Sequence, residues 1–307
     1  MIHDTPTNRK KASRHLVKGL LLLAIACSTQ AEIAFESRLH DRFVFLPRWG
    51  GVGSIESTST VCIRSTDNSN NPSDYQVTTP SPLELVSNGG DALPFTIGIQ
   101  DLFGSVDTDL TPGAPSPPLT GATDTCTGGD NLQLTYKLSE TDLASVSEGL
   151  FNEQIDITFA NANGDSMTQR FRFFLRIDPW IRLSGLNDVY LGNYSPGQGD
   201  LQQSQPVCIY TNADQYEVTA SGTGAAGAFE LQNSLGSVMP YEVRWQDDGA
   251  WSTLTANNRA RNQNSGNRCA NGVTNAQLEI TVRSIDMDAG DAATRYTGTL
   301  TILVAPN

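Results

Sequence analysis

The sequence predicts an all-β protein of two tandem β-sandwiches, the C-terminal one lacking its closing strand. Three observations predict it. An ordered series of short motifs occurs twice. The segments between Gly, Asn, Ser and Pro clusters alternate apolar and polar residues, with no long 3.6-residue period. One alternating segment that ends the first copy has no counterpart at the end of the second.

The chain opens on a secretory leader. Arg9, Lys10, Lys11, Arg14 and Lys18 precede the apolar run Leu20 to Ala26, and Thr29-Gln30-Ala31 has the small-x-small form of a cleavage site. The run is far shorter than the roughly 20 residues of a membrane span. Cys27 leaves lipoprotein processing open as an alternative, although Ala24 stands where that route prefers Leu. Cutting after Ala31 removes five of the 20 basic and one of the 33 acidic residues and leaves a net charge of −17, with Lys137 as the single lysine. Such a surface repels phosphate backbones, so nucleic acid is not an expected partner; its ordinary role is solubility outside the cell.

The repeat orders the rest. Val61-Cys62-Ile63 returns as Val207-Cys208-Ile209, and Tyr75-Gln76-Val77-Thr78 as Tyr216-Glu217-Val218-Thr219. Leu93-Pro94-Phe95 leading to Gln100-Asp101 returns as Met239-Pro240-Tyr241 leading to Gln246-Asp247. Cys126 matches Cys269, Asn131 matches Asn275, and Ile155 to Phe159 match Leu300 to Val304. All offsets lie between 141 and 146 residues. The expected division is therefore a leader over 1–31, a first sandwich over 32–177 and a second over 178–307. Four mature cysteines allow three pairings, and the repeat favours Cys62–Cys126 and Cys208–Cys269. An exported chain meets the oxidising compartment in which such bridges persist. No C-x-x-C pair or neighbouring histidine supports zinc.

The copies part after the last shared strand. In the first, Asn163-Gly164 signals a hairpin, and Gln169 to Ile177 then alternates strictly. Phe171, Phe173, Leu175 and Ile177 point one way; Arg170, Arg172, Phe174 and Arg176 point the other. This strand is expected to close the first sandwich in cis, with the opening of the second as the alternative. After Leu303-Val304 the sequence given holds only Ala305-Pro306-Asn307, so the second sandwich is expected to expose an edge and an apolar groove. Such a groove calls for a strand from another chain. The mature start, Glu32 to Leu39, aligns with the entry to the second copy and leaves little for a donor arm.

Candidate contact residues come from what the repeat does not share. The Pro-rich insertion from Asp101 to Thr125 carries Leu102, Phe103, Leu110 and Leu119, which either form a semi-rigid contact surface or belong to a solvated connection. Trp49, in Leu46-Pro47-Arg48-Trp49-Gly50-Gly51, either lies exposed for contact or packs under the sandwich edge. Trp180, Trp245 and Trp251 fall in the second copy, Trp245 in phase with the core. Asp286-Met287-Asp288 starts like a calcium loop, but position twelve is Thr297 rather than an acid. With His3 and His15 in the leader, His40 stands alone, and no G-x-S-x-G occurs. No enzyme, cofactor or metal site is expected.

At Val207-Cys208-Ile209-Tyr210, Tyr216-Glu217-Val218-Thr219 and Tyr296-Thr297-Gly298-Thr299-Leu300-Thr301 the chain resembles the spore coat protein U-like domain of archaic chaperone–usher pilins, most closely in the second copy. The resemblance implies immunoglobulin-like subunits and a two-domain adhesin at a fibre tip. The implied partners are a periplasmic chaperone, an outer-membrane usher, the next pilin subunit through strand addition, and an unknown surface or host ligand. It also implies passage through the periplasm to a fimbrium on the cell surface. A stand-alone secreted β-sandwich binding or coat protein is the alternative.

Overall fold

In a computed structural model of the chain, residues 31–36, 42–123, 129–264, 269, 274–291 and 295–307 are described. The leader up to Gln30, with Cys27, and His40 lie outside the described residues. Among those residues no helix is long and apolar enough to cross a membrane.

The fold is all-β and repeats itself. In the first half, a five-stranded sheet runs in the spatial order Glu32–Glu36, Ile55–Thr66, Leu132–Leu138, Thr96–Asp101, Asp107–Asp109. A four-stranded sheet of Phe43–Phe45, Ser166–Ile177, Gly149–Asn161 and Tyr75–Thr78 faces it. In the second half the five-stranded sheet is Ile181–Ser184, Leu201–Thr211, Ala276–Val282, Glu242–Asp247, Ala250–Leu254. Its companion has three strands: Arg259–Asn264, Gln215–Ser221 and Thr301–Pro306. Even the minor ribbons match. Glu84–Val86 pairs with Ala92–Pro94, as Glu230–Gln232 does with Val238–Pro240. A short helix follows the Leu132–Leu138 strand at Glu140–Ser145, and another follows Ala276–Val282 at Ser284–Asp288.

Period-two patterning explains the strands. Leu132, Leu134, Tyr136 and Leu138 are buried, while Gln133, Thr135 and Lys137 alternate with them toward solvent. The buried residues form two clusters. One runs from Ile33 to Trp180; the other, from Val207 to Met287, centres on Tyr216, Val218, Val243 and Trp245. Trp180 therefore packs with the first core, contrary to its place in the aligned sequence. The chain carries it beneath Trp49, edge to face, with ring centroids 5.8 Å apart.

Each half carries the same polar clamp. Asn131 Oδ1 accepts from the Ile63 amide and Asn131 Nδ2 donates to the Ile63 carbonyl, both at 2.8 Å. Asn275 does the same to Ile209, again at 2.8 Å. One side chain thus satisfies both backbone groups next to the cysteine. Replacing Asn131 with Ala orphans a buried donor and a buried acceptor at about 1–3 kcal/mol each. Asn131→Ala is expected to lose roughly 2–4 kcal/mol in urea unfolding. Asn275→Ala should lose less, since Asn275 is only half-buried.

Cys208 and Cys269 form a disulfide across 61 residues, a link that stabilises by about 2–4 kcal/mol. Cys62 is also disulfide-bonded; Cys126, its expected partner, lies outside the described residues.

Candidate strand-acceptor site

The halves differ at one sheet edge. In the first, Gly149–Asn161 is hydrogen-bonded on both sides. Tyr75–Thr78 lies on one flank, with Phe159 opposite Val77. Ser166–Ile177 lies on the other, with Phe171 opposite Ile155, Phe173 opposite Glu153, Leu175 opposite Phe151 and Ile177 opposite Gly149. The hairpin between them is Asn161 to Asp165. Asn161 Oδ1 accepts from the amides of Asn163 and Asp165 at 3.0 Å, and Gly164 takes a φ of +91°, a region that glycine enters without Cβ strain. Phe171, Phe173, Leu175 and Ile177 are all at most 1% exposed.

The corresponding strand of the second half is Thr301–Pro306. Val304 lies opposite Val218, as Phe159 lies opposite Val77, so Leu300 and Ile302 take the places of Ile155 and Ile157. Among the described residues this strand has one hydrogen-bonded neighbour, Gln215–Ser221. The core beneath is covered in proportion. Ile155, Ile157 and Phe159 are at most 5% exposed, whereas Leu300, Ile302 and Val304 remain half-buried. Ile181, Leu183, Leu191, Tyr194 and Tyr296 are half-buried around the same cluster.

A second wall follows from the same comparison. Phe43–Phe45 pairs in parallel with Ser166–Ile177, Phe43 opposite Arg172 and Phe45 opposite Phe174. Phe43 lies ten residues after Ile33, which pairs with Ser65; ten residues after Ile181, which pairs with the matching Thr211, stands Leu191. Leu191 to Asn193 is not a strand. Among the described residues the second half thus has no pairing that corresponds to that of Phe43–Phe45 with Ser166–Ile177. The Tyr194 hydroxyl donates to Asp288 Oδ1 at 2.6 Å, which raises its pKa.

The expected contact residues divide. Leu102 and Phe103 are 41% and 54% exposed, on the turn between Thr96–Asp101 and Asp107–Asp109. The carboxylate of buried Asp101 shapes that turn, accepting from the amides of Phe103, Gly104 and Thr120. Leu110 and Leu119 are not surface residues: they are 5% and 0% exposed. The Pro-rich insertion runs along the free side of Tyr75–Thr78. Leu119 and Tyr75 exchange both backbone hydrogen bonds, and the amides of Ser116 and Gly113 reach the Val77 and Thr79 carbonyls. It covers an edge that Arg259–Asn264 covers in the second half, and Leu110 and Leu119 pack beneath it. Trp49, at 2% exposure, is likewise core; its indole donates to the Gly53 carbonyl at 2.7 Å.

The acids of the failed calcium pattern are engaged within the protein. Asp286 pairs with Arg283, Asp288 holds Tyr194, and Ser237 and Asn233 donate to Asp291, whose carboxyl they hold below its usual range.

The junction between the halves is packed. Asp178 Oδ1 accepts from Arg48 at 2.6 Å and Arg176 at 3.0 Å, and these guanidinium groups keep its carboxyl ionised to lower pH than usual. Trp180 also meets Tyr210 at 4.9 Å, and Arg182 pairs with Glu140 at 3.0 Å and donates to the Gly51 carbonyl.

No protein-family model matches the chain, and no curated protein sequence matches it. Solved structures do. The chain is similar to the tip subunit CsuE, solved with its chaperone CsuC, from archaic chaperone–usher pili of Acinetobacter baumannii: 13% identity, 85% of this chain and 96% of that chain, TM-score 0.48. It is similar to CfaE, the adhesive subunit of CFA/I fimbria of enterotoxigenic Escherichia coli, at 14% identity over 91% of this chain and 82% of that one, TM-score 0.38. The CupB6 tip adhesin of Pseudomonas aeruginosa matches at 9% identity over 89% and 94%, TM-score 0.35. Likeness at this level assigns no residue a role.

Proposed function

We propose that the chain is the tip subunit of a chaperone–usher pilus, attached by accepting a β-strand along the free edge of Thr301–Pro306. One observation carries the reading. The repeated fold holds a closing strand at this edge in one half and none in the other among the described residues, and the core is half-exposed where that strand is missing. The division falls at Ile177: 32–177 is a self-closed adhesive domain and 178–307 the strand-accepting one.

The acceptor chemistry follows from the first half. A donor runs antiparallel to Thr301–Pro306 and places alternate apolar side chains toward Leu300, Ile302 and Val304, with Leu191 on its far side. Backbone hydrogen bonds supply affinity and the alternate pockets supply specificity. Before assembly the exposed edge requires a guard, the part of a periplasmic chaperone; the usher and the next subunit then follow, with delivery to the cell surface. Of the contact residues expected in the Pro-rich insertion, Leu102 and Phe103 are the two exposed enough to touch a target.

Hydrogen exchange on the full chain tests the reading. Amides of Thr301–Pro306 not bonded to Gln215–Ser221 should exchange far faster than those of Gly149–Asn161, and an alternating apolar peptide should protect them. Equal protection of both strands without peptide would mean a second sandwich already closed, as in a stand-alone secreted protein.

A further inference from the structure

The outer face of the four-stranded sheet departs from the pattern that built it. Outward positions of a half-buried sheet are ordinarily polar. Here Phe43, Phe45 and Leu150 stand 42%, 71% and 45% exposed, and Phe174 lies between the first two. The rings are co-stacked: Phe45 and Phe174 at 5.1 Å and 14°, Phe43 and Phe174 at 6.4 Å and 16°. Among the described residues no other ring covers Phe45. The same strand turns Arg170, Arg172 and Arg176 outward, and Arg48 joins Arg176 at Asp178. Arg170 is neutralised by Asp156 through two hydrogen bonds of 2.7 and 2.9 Å. Arg172 has no acidic partner among the described residues; its guanidinium lies 6.0 Å from the Phe43 ring centre. Four arginines against two carboxylates make a basic, aromatic island on a chain of net charge −13.

We propose that this face binds a carboxylated polysaccharide of the uronic-acid kind. Charge complementarity selects an anion, and the arginines offer the fork that pairs with carboxylate. The rings select a ligand with apolar C–H faces beside its charges, which an acidic peptide lacks. Successive outward residues repeat at about 6.7 Å along a strand, so rings and guanidinium groups alternate on a scale that a sugar polymer meets residue by residue. A stiff polymer on a rigid sheet also loses little conformational entropy. The face lies on a different sheet from the strand-acceptor edge, so the proposal stands apart from strand acceptance.

The test measures binding of the full chain to immobilised polygalacturonate at about 50 mM salt, where surface electrostatics are weakly screened, with neutral dextran and polyglutamate alongside. Expected are binding to polygalacturonate, none to dextran, and a loss of about tenfold in affinity for both Arg172→Glu and Phe45→Ser. Both positions are exposed, so folding should persist, and Arg172→Gln is the milder check. Absence of polygalacturonate binding overturns the proposal, as does unchanged affinity in both variants. Equal competition by polyglutamate, charge for charge, overturns it in favour of a surface that reads charge alone.

Discussion

A peptide with the sequence of Gln169 to Ile177, added to the full chain, should raise the temperature of the lower of two unfolding transitions by more than about 10 °C. That segment already fills the equivalent place in the first half, with Phe171, Phe173, Leu175 and Ile177 fully packed. Four such side chains gain roughly 1.5–3 kcal/mol each on burial, on the order of 10 kcal/mol gross. Ordering the free peptide and bringing two molecules together offsets part of this, leaving several kcal/mol. Each kcal/mol moves the midpoint of a domain of this size by several degrees. The control peptide has its alternation shifted by one residue, which turns every apolar side chain outward. Calorimetry decides: an indifferent lower transition, or equal response to both peptides, would sink the strand-acceptor reading.

Phe173→Ala should lower the other transition by about 3–5 kcal/mol of stability, the usual cost of a large aromatic lost from a packed core. Phe173 is 0% exposed and meets Phe95 at 5.3 Å and Tyr136 edge to face at 5.1 Å, so it joins the closing strand to the opposite sheet. The loss is a large part of the 5–15 kcal/mol that holds an ordinary domain folded. Because Tyr216, Val218 and Trp245 belong to a separate cluster, the second half's transition should hardly move. Leu303→Ser is the matching control: at 63% exposure on the free-edge strand it should cost within about 0.5 kcal/mol. Chemical denaturation of the two variants separates the closed half from the open one. If Phe173→Ala leaves both transitions in place, the strand does not hold the first core together.

Much of the fold was legible because repetition and alternation are local signals. The doubled Tyr-x-Val-Thr motif marked the strands Tyr75–Thr78 and Gln215–Ser221, and the doubled asparagine marked equivalent positions, whose clamp on Ile63 and Ile209 only the structure shows. The closing strand of the first half was legible by period: Phe171 to Ile177 alternates, and the strand that carries it pairs with Gly149–Asn161. The strand that flanks it was not, because the parallel pairing of Phe43–Phe45 with Ser166–Ile177 joins residues far apart in the chain. The aromatic face was missed for a related reason. Phe174 lies 129 residues beyond Phe45 and 131 beyond Phe43 on another strand, and no linear pattern joins it to them.

The errors share one cause. Leu110, Leu119 and Trp49 were offered as surface contacts because they sit in Pro- and Gly-rich stretches, which ordinarily run over the outside; for Trp49 the alternative, packing under the sandwich edge, is the one the fold adopts. The fold uses the insertion to cover the edge of Tyr75–Thr78 and packs Trp49 edge to face against Trp180. The sequence by itself determined the all-β class, the two copies and the alternating strand from Gln169 to Ile177, and favoured the Cys208–Cys269 bridge among three pairings, since each depends on order and period along the chain. The tertiary structure alone decided which loop side chains are buried, which strand edges are covered and which rings meet on a common face, because burial and edge coverage depend on partners distant in sequence.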